Sequence, residues 1–351
     1  MSALDDHSLA ADLAERAGHL LLTLRANGGD PDVLRKAGDR QSHEFLMAEL
    51  ARERPDDAVL SEEGIDDRAR LTADRVWIVD PLDGTREFGE PGRTDWAVHV
   101  ALWSRHAPAP DEQWAGTANA SAPQQPGSPT RNASAPDEQW AGTANASAPS
   151  GELSGTRTAA PVERELGGER SAAAAAGAGD LIVGAVALPA QNRVLSTVTP
   201  MPIPGEDGAE RPDQWESSRR PSEEASAEAS PSPGAERPLR MVVSRSRASE
   251  LVKDVAARIH AELVPCGSAG AKVATVITGE NDVYLHSGGF YEWDTAAPVA
   301  VARARGFYVS RIDGSPVKYN QEDPLLPDIL VCRPAIAPVL LNAIREATHA
   351  I

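Results

Sequence analysis

Asp80 and Asp83 stand either side of Pro81-Leu82, directly after the oily run Val76-Trp77-Ile78-Val79, in the segment VWIVDPLDGTREFG at 76–89. Such a run heads for burial, and an ionised carboxylate buried without a partner costs several kcal/mol. A basic side chain or a metal ion must therefore meet the pair. Pro81 fixes φ and donates no hydrogen bond, so the chain is predicted to turn at the strand end. That turn would bring both carboxylates to one point, with the Leu82 carbonyl between them as a third oxygen. Hard cations such as Mg²⁺ take oxygen ligands in a tight octahedron and keep water for the substrate. Gly84 would let a ligand approach the backbone, and Thr85 would open a helix whose free N–H groups face an anion. The competing account is a capped turn, with Asp80 or Asp83 bonding backbone amides.

Glu62 and Glu63 follow a second short strand, AVLS at 58–61, and invite the same reading. Successive strand residues face opposite ways, so only one of the two is expected to turn inward. Asp294 follows Trp293 and precedes an Ala-rich helix, where an N-cap role is expected. One carboxylate oxygen can cap a helix while the other binds a metal.

The elements that would carry these acids alternate along the chain. Leu9, Leu13, Ala17, Leu20, Leu21 and Leu24 form one helical stripe closed by Gly28-Gly29, and a second helix is predicted from near Asp39 to Arg52. Strands are expected at AVLSEE, RVWIVD, WAVHVALW and DLIVGAVALP, then at RMVVSRS, AELVPC and NDVYLHSG, with helices between the later ones. The class is therefore α/β (α+β). Two stretches interrupt it. Residues 104–178 contain APDEQWAGTANASAP twice, at 109–123 and 135–149, and 203–238 is rich in Pro, Ser, Ala and Glu. Neither holds enough apolar surface to offset its ordering entropy, so both are read as disordered surface insertions.

The net charge of -18, with no Lys/Arg run, argues against nucleic acid as a partner and leaves a small anionic molecule as the expected one. Cys266 and Cys332 are too few for a disulfide framework or zinc cluster, which suits a reducing, cytoplasmic setting. Residues 1–25 lack a signal-peptide pattern, and no apolar run reaches the ~18 residues of a membrane span.

Taken together, SEE (61–63), WIVDPLDGTREF (77–88), GSAGAK (267–272) and EWDTAAPVAVARARG (292–306) make the chain resemble the inositol monophosphatase superfamily. These are lithium-sensitive, magnesium-dependent phosphomonoesterases. Within it, DPLDGTREF and VVSRS (242–246) resemble the CysQ branch, the 3'(2'),5'-bisphosphate nucleotidases; AGDRQ (37–41) and DGSPVKYNQEDPLLPD (313–328) resemble its actinobacterial type. The D-x-D-G-T of haloacid dehalogenase-type phosphatases is a poorer match, because two residues separate Asp80 from Asp83.

The resemblance implies an αβαβα layered sandwich. An N-terminal subdomain, 1–202, would carry most metal ligands, and a C-terminal one, 239–351, would complete the active site. It selects Glu62 over Glu63 and implies that Glu62, Asp80, Asp83, Asp294 and the Leu82 carbonyl hold two or three Mg²⁺, with Li⁺ inhibiting. Asp39 and Thr85, with Glu62, would orient the attacking water; the Gly84 and Thr85 amides would hold phosphate; Ser268 and Lys272 would contact a nucleotide, the competing roles being an N-cap and a helix-surface residue. Arg245, read from the residue alone, would contact the nucleotide's phosphate or else pair with an acid. Two departures bear on the substrate. Arg247 stands where nucleotidases often have His, and GSAGAK carries an extra small residue. The implied reaction is hydrolysis of 3'-phosphoadenosine 5'-phosphate (PAP) to AMP, with the 5'-phosphosulfate (PAPS) going to APS, in sulfate assimilation. Inositol monophosphate or fructose 1,6-bisphosphate is the alternative substrate, and a non-catalytic, metal-dependent scaffold is the alternative of another class. Relatives also suggest a homodimer.

Overall fold

The computed structural model describes residues 4–107, 179–197, 237–246 and 248–349. Apart from their edges, both expected insertions lie outside the described residues, as does Arg247. Asp5 caps the first helix, α1 (Asp6–Ala26), by accepting the Ser8 amide at 2.9 Å. Leu9, Leu13, Ala17 and Leu21 are buried along its stripe, with Leu20 and Leu24 at the margin. The second helix, α2 (Pro31–Glu53), starts well before Asp39, contrary to the expectation from sequence. Asp30 accepts the amides of Asp32 and Val33, and Pro31 fills the first turn, where its missing N–H costs nothing.

The first sheet runs in the order β1 (Ala58–Ser61), β2 (Arg75–Asp83), β3 (Ala97–Ser104), β4 (Asp180–Leu188), β5 (Arg193–Ser196). β1 pairs parallel with β2, and the remaining neighbours are antiparallel. A short helix, α3 (Thr85–Gly89), follows β2. The second sheet combines β6 (Arg240–Ser244), β7 (Glu262–Cys266), β8 (Val283–Tyr291), β9 (Tyr308–Ser310) and β10 (Leu325–Cys332) in the order β7-β6-β8-β10-β9. Its helices are α4 (Glu250–Arg258), α5 (Ala269–Ile277), α6 (Glu292–Ala304) and α7 (Ala337–His349).

Three apolar clusters arrange these elements in layers. Trp77, Val79, Val98 and Val100 face α1 and α2. Val76, Ile78, Ala97 and Ala101 face the opposite way and share a cluster with α5, α6 and the inner face of the second sheet, including Val242, Tyr284 and Ile329. Met241, Val243, Leu285 and Leu330 then meet α4 and α7 on the outer face. The order is αβαβα. β2 is thus covered on both sides, which explains an apolar run without polar alternation. α6 is buried from Thr295 to Ala302, as a helix between two sheets must be. Cys266 and Cys332 are both free thiols. Among the described residues no helix is long and apolar enough to cross a membrane.

Candidate active site

β2 does not turn at Asp80, as the proline suggested, but continues to Asp83. Asp80 pairs with His99 and Asp83 with Ala97, so three steps on β2 are matched by two on β3. This is a bulge. In a regular strand residues three apart point to opposite faces, and one inserted residue restores them to the same face. Asp80 and Asp83 therefore both look toward the α6 layer, while Leu82 packs with the α1–α2 side. Pro81 sits where a bulge tolerates a missing donor.

The other two acids arrive from neighbouring elements. β1 runs parallel to β2 with Ser61 opposite Val79, which sets Glu62 next to Asp80. Asp294 lies in the first turn of α6, not at its cap: the helix begins at Glu292, and Asp294 Oδ2 accepts the Tyr291 amide at 2.6 Å. Glu62, Asp80, Asp83 and Asp294 line one cleft of about 550 Å³ together with Leu82, Gly84, Thr85 and Arg245. A second hollow, about 420 Å³ and lined by Arg93, Asp95, Cys266 and Asn281, contains none of these carboxylates.

Their electrostatics follow from crowding. Asp80 is fully buried, and burial, then Glu62, Asp83 and Asp294, push its carboxyl well above the usual range. Glu62 is open to the cleft yet hemmed in by protein; lost hydration and the nearby Asp294 raise it to about 7. Asp80 Oδ2 is buried with no hydrogen-bond partner. An orphaned carboxylate oxygen among three further acids fits a divalent cation of the oxygen-seeking kind.

Asp83 is held from beneath. Its Oδ2 accepts the Ser268 hydroxyl at 2.5 Å and the Gly270 amide at 2.8 Å, and His99 Nε2 lies 3.2 Å away. His99 is wholly buried, with Nδ1 3.1 Å from the Trp293 carbonyl beside Asp294. Asp80, Asp83 and His99 form a compact set of potential metal-ligating atoms. No motif marks His99, whose Trp293 partner lies far along the chain. Ser268 caps α5 by accepting the Ala271 amide. Lys272 is buried, bonds the Gly267 carbonyl and lies 5.5 Å from the Tyr284 ring centre; burial lowers its pKa. Neither Ser268 nor Lys272 is among the cleft-lining residues.

Thr85 Oγ1 lies 3.2 Å from Asp39 Oδ1 and 3.0 Å from the Leu82 carbonyl. Burial, then Glu63, raises Asp39 to about 6. Gly84, at φ +85°, makes the left-handed step from β2 into α3. Arg245 reaches the cleft but is paired with Glu90 at 2.7 and 2.8 Å and with Glu87 at 2.8 Å.

The architecture and this acid-lined cleft correspond to a known phosphatase class. The family model described as "Inositol monophosphatase family" matches residues 9–109 and 173–349. A 3'-phosphoadenosine 5'-phosphate phosphatase of Mycobacterium leprae is 39% identical over 98% of this chain and 94% of its own length. One of Mycobacterium bovis is 38% identical over 94% of this chain and 90% of its own. The crystal structure of CysQ from Bacteroides thetaiotaomicron superposes with a TM-score of 0.56 at 24% identity, over 93% of this chain and 98% of that one. The chain belongs to the inositol monophosphatase family. It is a phosphatase of a metal-dependent family.

Proposed function

We propose that this chain is a Mg²⁺-dependent phosphomonoesterase that hydrolyses PAP to AMP and phosphate, and PAPS to APS. The observation that carries the chemistry is the convergence of Glu62, Asp80, Asp83 and Asp294 on one cleft with Asp80 Oδ2 left unpartnered. The relatives named for PAP, similar over nearly the whole chain, support the substrate.

The four carboxylates and the Leu82 carbonyl would hold the metal ions. A Mg²⁺ held there would supply charge neutralisation for phosphate oxygens and a more acidic water. Asp39, raised to about 6 and close to Thr85, is poised to take a proton from the attacking water near neutral pH. Such proton transfer contributes about 10²–10⁴-fold. Gly84 and Thr85 line the cleft, where their amides would hold the phosphate. Arg245 offers its guanidinium to the substrate's second phosphate in exchange for Glu90. Ser268 orients Asp83 from below, and Lys272 holds the carbonyl of Gly267, which lines the cleft where a nucleotide would lie.

Comparing kcat/KM for PAP, inositol monophosphate and fructose 1,6-bisphosphate tests the substrate. PAP is expected to lead by at least about tenfold, the discrimination available from one or two substrate contacts. A preference for either sugar phosphate overturns the assignment.

A further inference from the structure

We propose that α2 sets the spacing of the carboxylate cage through Ser42 and His43, which act as positioning residues. The inference rests on the metal-dependent reading above. Asp39, Ser42 and His43 stand at i, i+3 and i+4, so they share one face of α2. Each reaches a different segment of the site. Asp39 meets Thr85, next to Gly84. Ser42 Oγ, wholly buried, donates to the Pro81 carbonyl at 2.7 Å. His43 Nδ1 and Ser61 Oγ are hydrogen-bonded at 2.9 Å, and Ser61 directly precedes Glu62.

Both contacts fall where the sheet's own ladder is interrupted or ending. Pro81 lies inside the β2 bulge, where ladder pairing is interrupted and a buried carbonyl needs another donor. Glu62 follows the last residue of β1, and its amide reaches the Val79 carbonyl only at 3.4 Å. One rigid helix therefore grips the backbone between Asp80 and Asp83 with one side chain and the end of the Glu62 strand with the next. Mg²⁺ tolerates little error in ligand position, and outer contacts that orient ligands are typically worth about 10–100-fold in metal affinity. Neither residue touches the reacting atoms, and neither belongs to a motif that marks the site.

The test uses the full chain and Mn²⁺ as the probe, with binding followed by calorimetry in the absence of substrate. Ser42→Ala and His43→Leu are expected to weaken Mn²⁺ binding by about 10–100-fold while melting cooperatively in chelator. Ser42→Thr and His43→Asn, which return a hydrogen-bonding atom near the lost one, are expected to recover most of it. In turnover, the metal concentration for half-maximal rate should rise while KM for PAP at saturating metal holds. Affinities within about twofold of wild type in both truncations overturn the proposal, as does equal loss in truncation and rescue variants. If one truncation fails to fold, the other pair decides. Asp83→Asn serves as the control for the centre itself. Failure of the unmodified chain to take up Mn²⁺ would sink the metal-dependent reading and this one together, a result distinct from uniform binding by all variants.

Discussion

Asp80 resists its own charge, because burial and three neighbouring acids all favour its protonated form. Asp80→Asn removes that charge with little change of shape. It is expected to raise the metal-free Tm by a few degrees, where about 1 kcal/mol corresponds to roughly 2–4 °C for 150–250 folded residues. The same change should cut kcat/KM by more than about 100-fold, since on the proposed function it would remove a metal ligand and not merely a supporting contact. Thermal melts in chelator and steady-state kinetics on one preparation check both halves. The pH dependence follows from Glu62, raised from 4.5 to about 7. A carboxyl whose folded pKa lies above its unfolded one binds more protons when folded, so its contribution to stability falls as pH climbs through that window. Cations compete with those protons. The gain in Tm on adding Mg²⁺ should therefore grow between about pH 5 and about pH 8, and a gain independent of pH would contradict the repulsion inferred at the cage.

Elements place these residues through close contacts that admit little added volume. Gly184 on β4 is the seat of α6: a Cβ there would lie 2.6 Å from Ala300 Cβ and 2.7 Å from the Ala297 carbonyl. Gly184→Ala should force the helix, and with it Asp294, away from the sheet. A cost of about 1–3 kcal/mol is expected, measured as a lowered Tm, together with weaker metal binding. Much of this scale was legible in the sequence. The oily run at 76–79 and the acids after it announced a buried strand, because covering both faces leaves no polar alternation. The bulge was not legible, since it depends on which β3 residues pair with Asp80 and Asp83. The start of α2 is hard to place from sequence even though Asp30-Pro31 is a capping signal, because the apolar periodicity begins later. Asp294 was expected at the cap, but α6 starts two residues earlier. β5 is not legible in the sequence because four residues carry little pattern. Ser42, His43 and His99 were invisible for a common reason: each acts on a segment that only tertiary folding brings near.

Across the whole molecule, the acids come from the end of β1, from β2 and from α6, and their supports come from α2 and α5. A buried polar network ties the C-terminal region to the loop before β2. Arg70 is fully buried, pairs with Asp66 at 2.6 Å and donates to Asn320 Oδ1 at 2.7 Å, while Glu292 accepts the Asn320 and Gln321 amides. Arg70→Ala strands several of these groups and should cost about 3 kcal/mol, read from denaturant unfolding. Loss of activity at lower temperature would follow from the shift of α6, whose first residue is Glu292. The central claim concerns the cage, and phosphate release from PAP measures it most directly. The unmodified chain with Mg²⁺ should release phosphate and AMP in equal amounts, lose this activity on chelation or on adding Li⁺, and lose it in folded Asp83→Asn. Undiminished release by chelated protein, or by Asp83→Asn, would contradict the account.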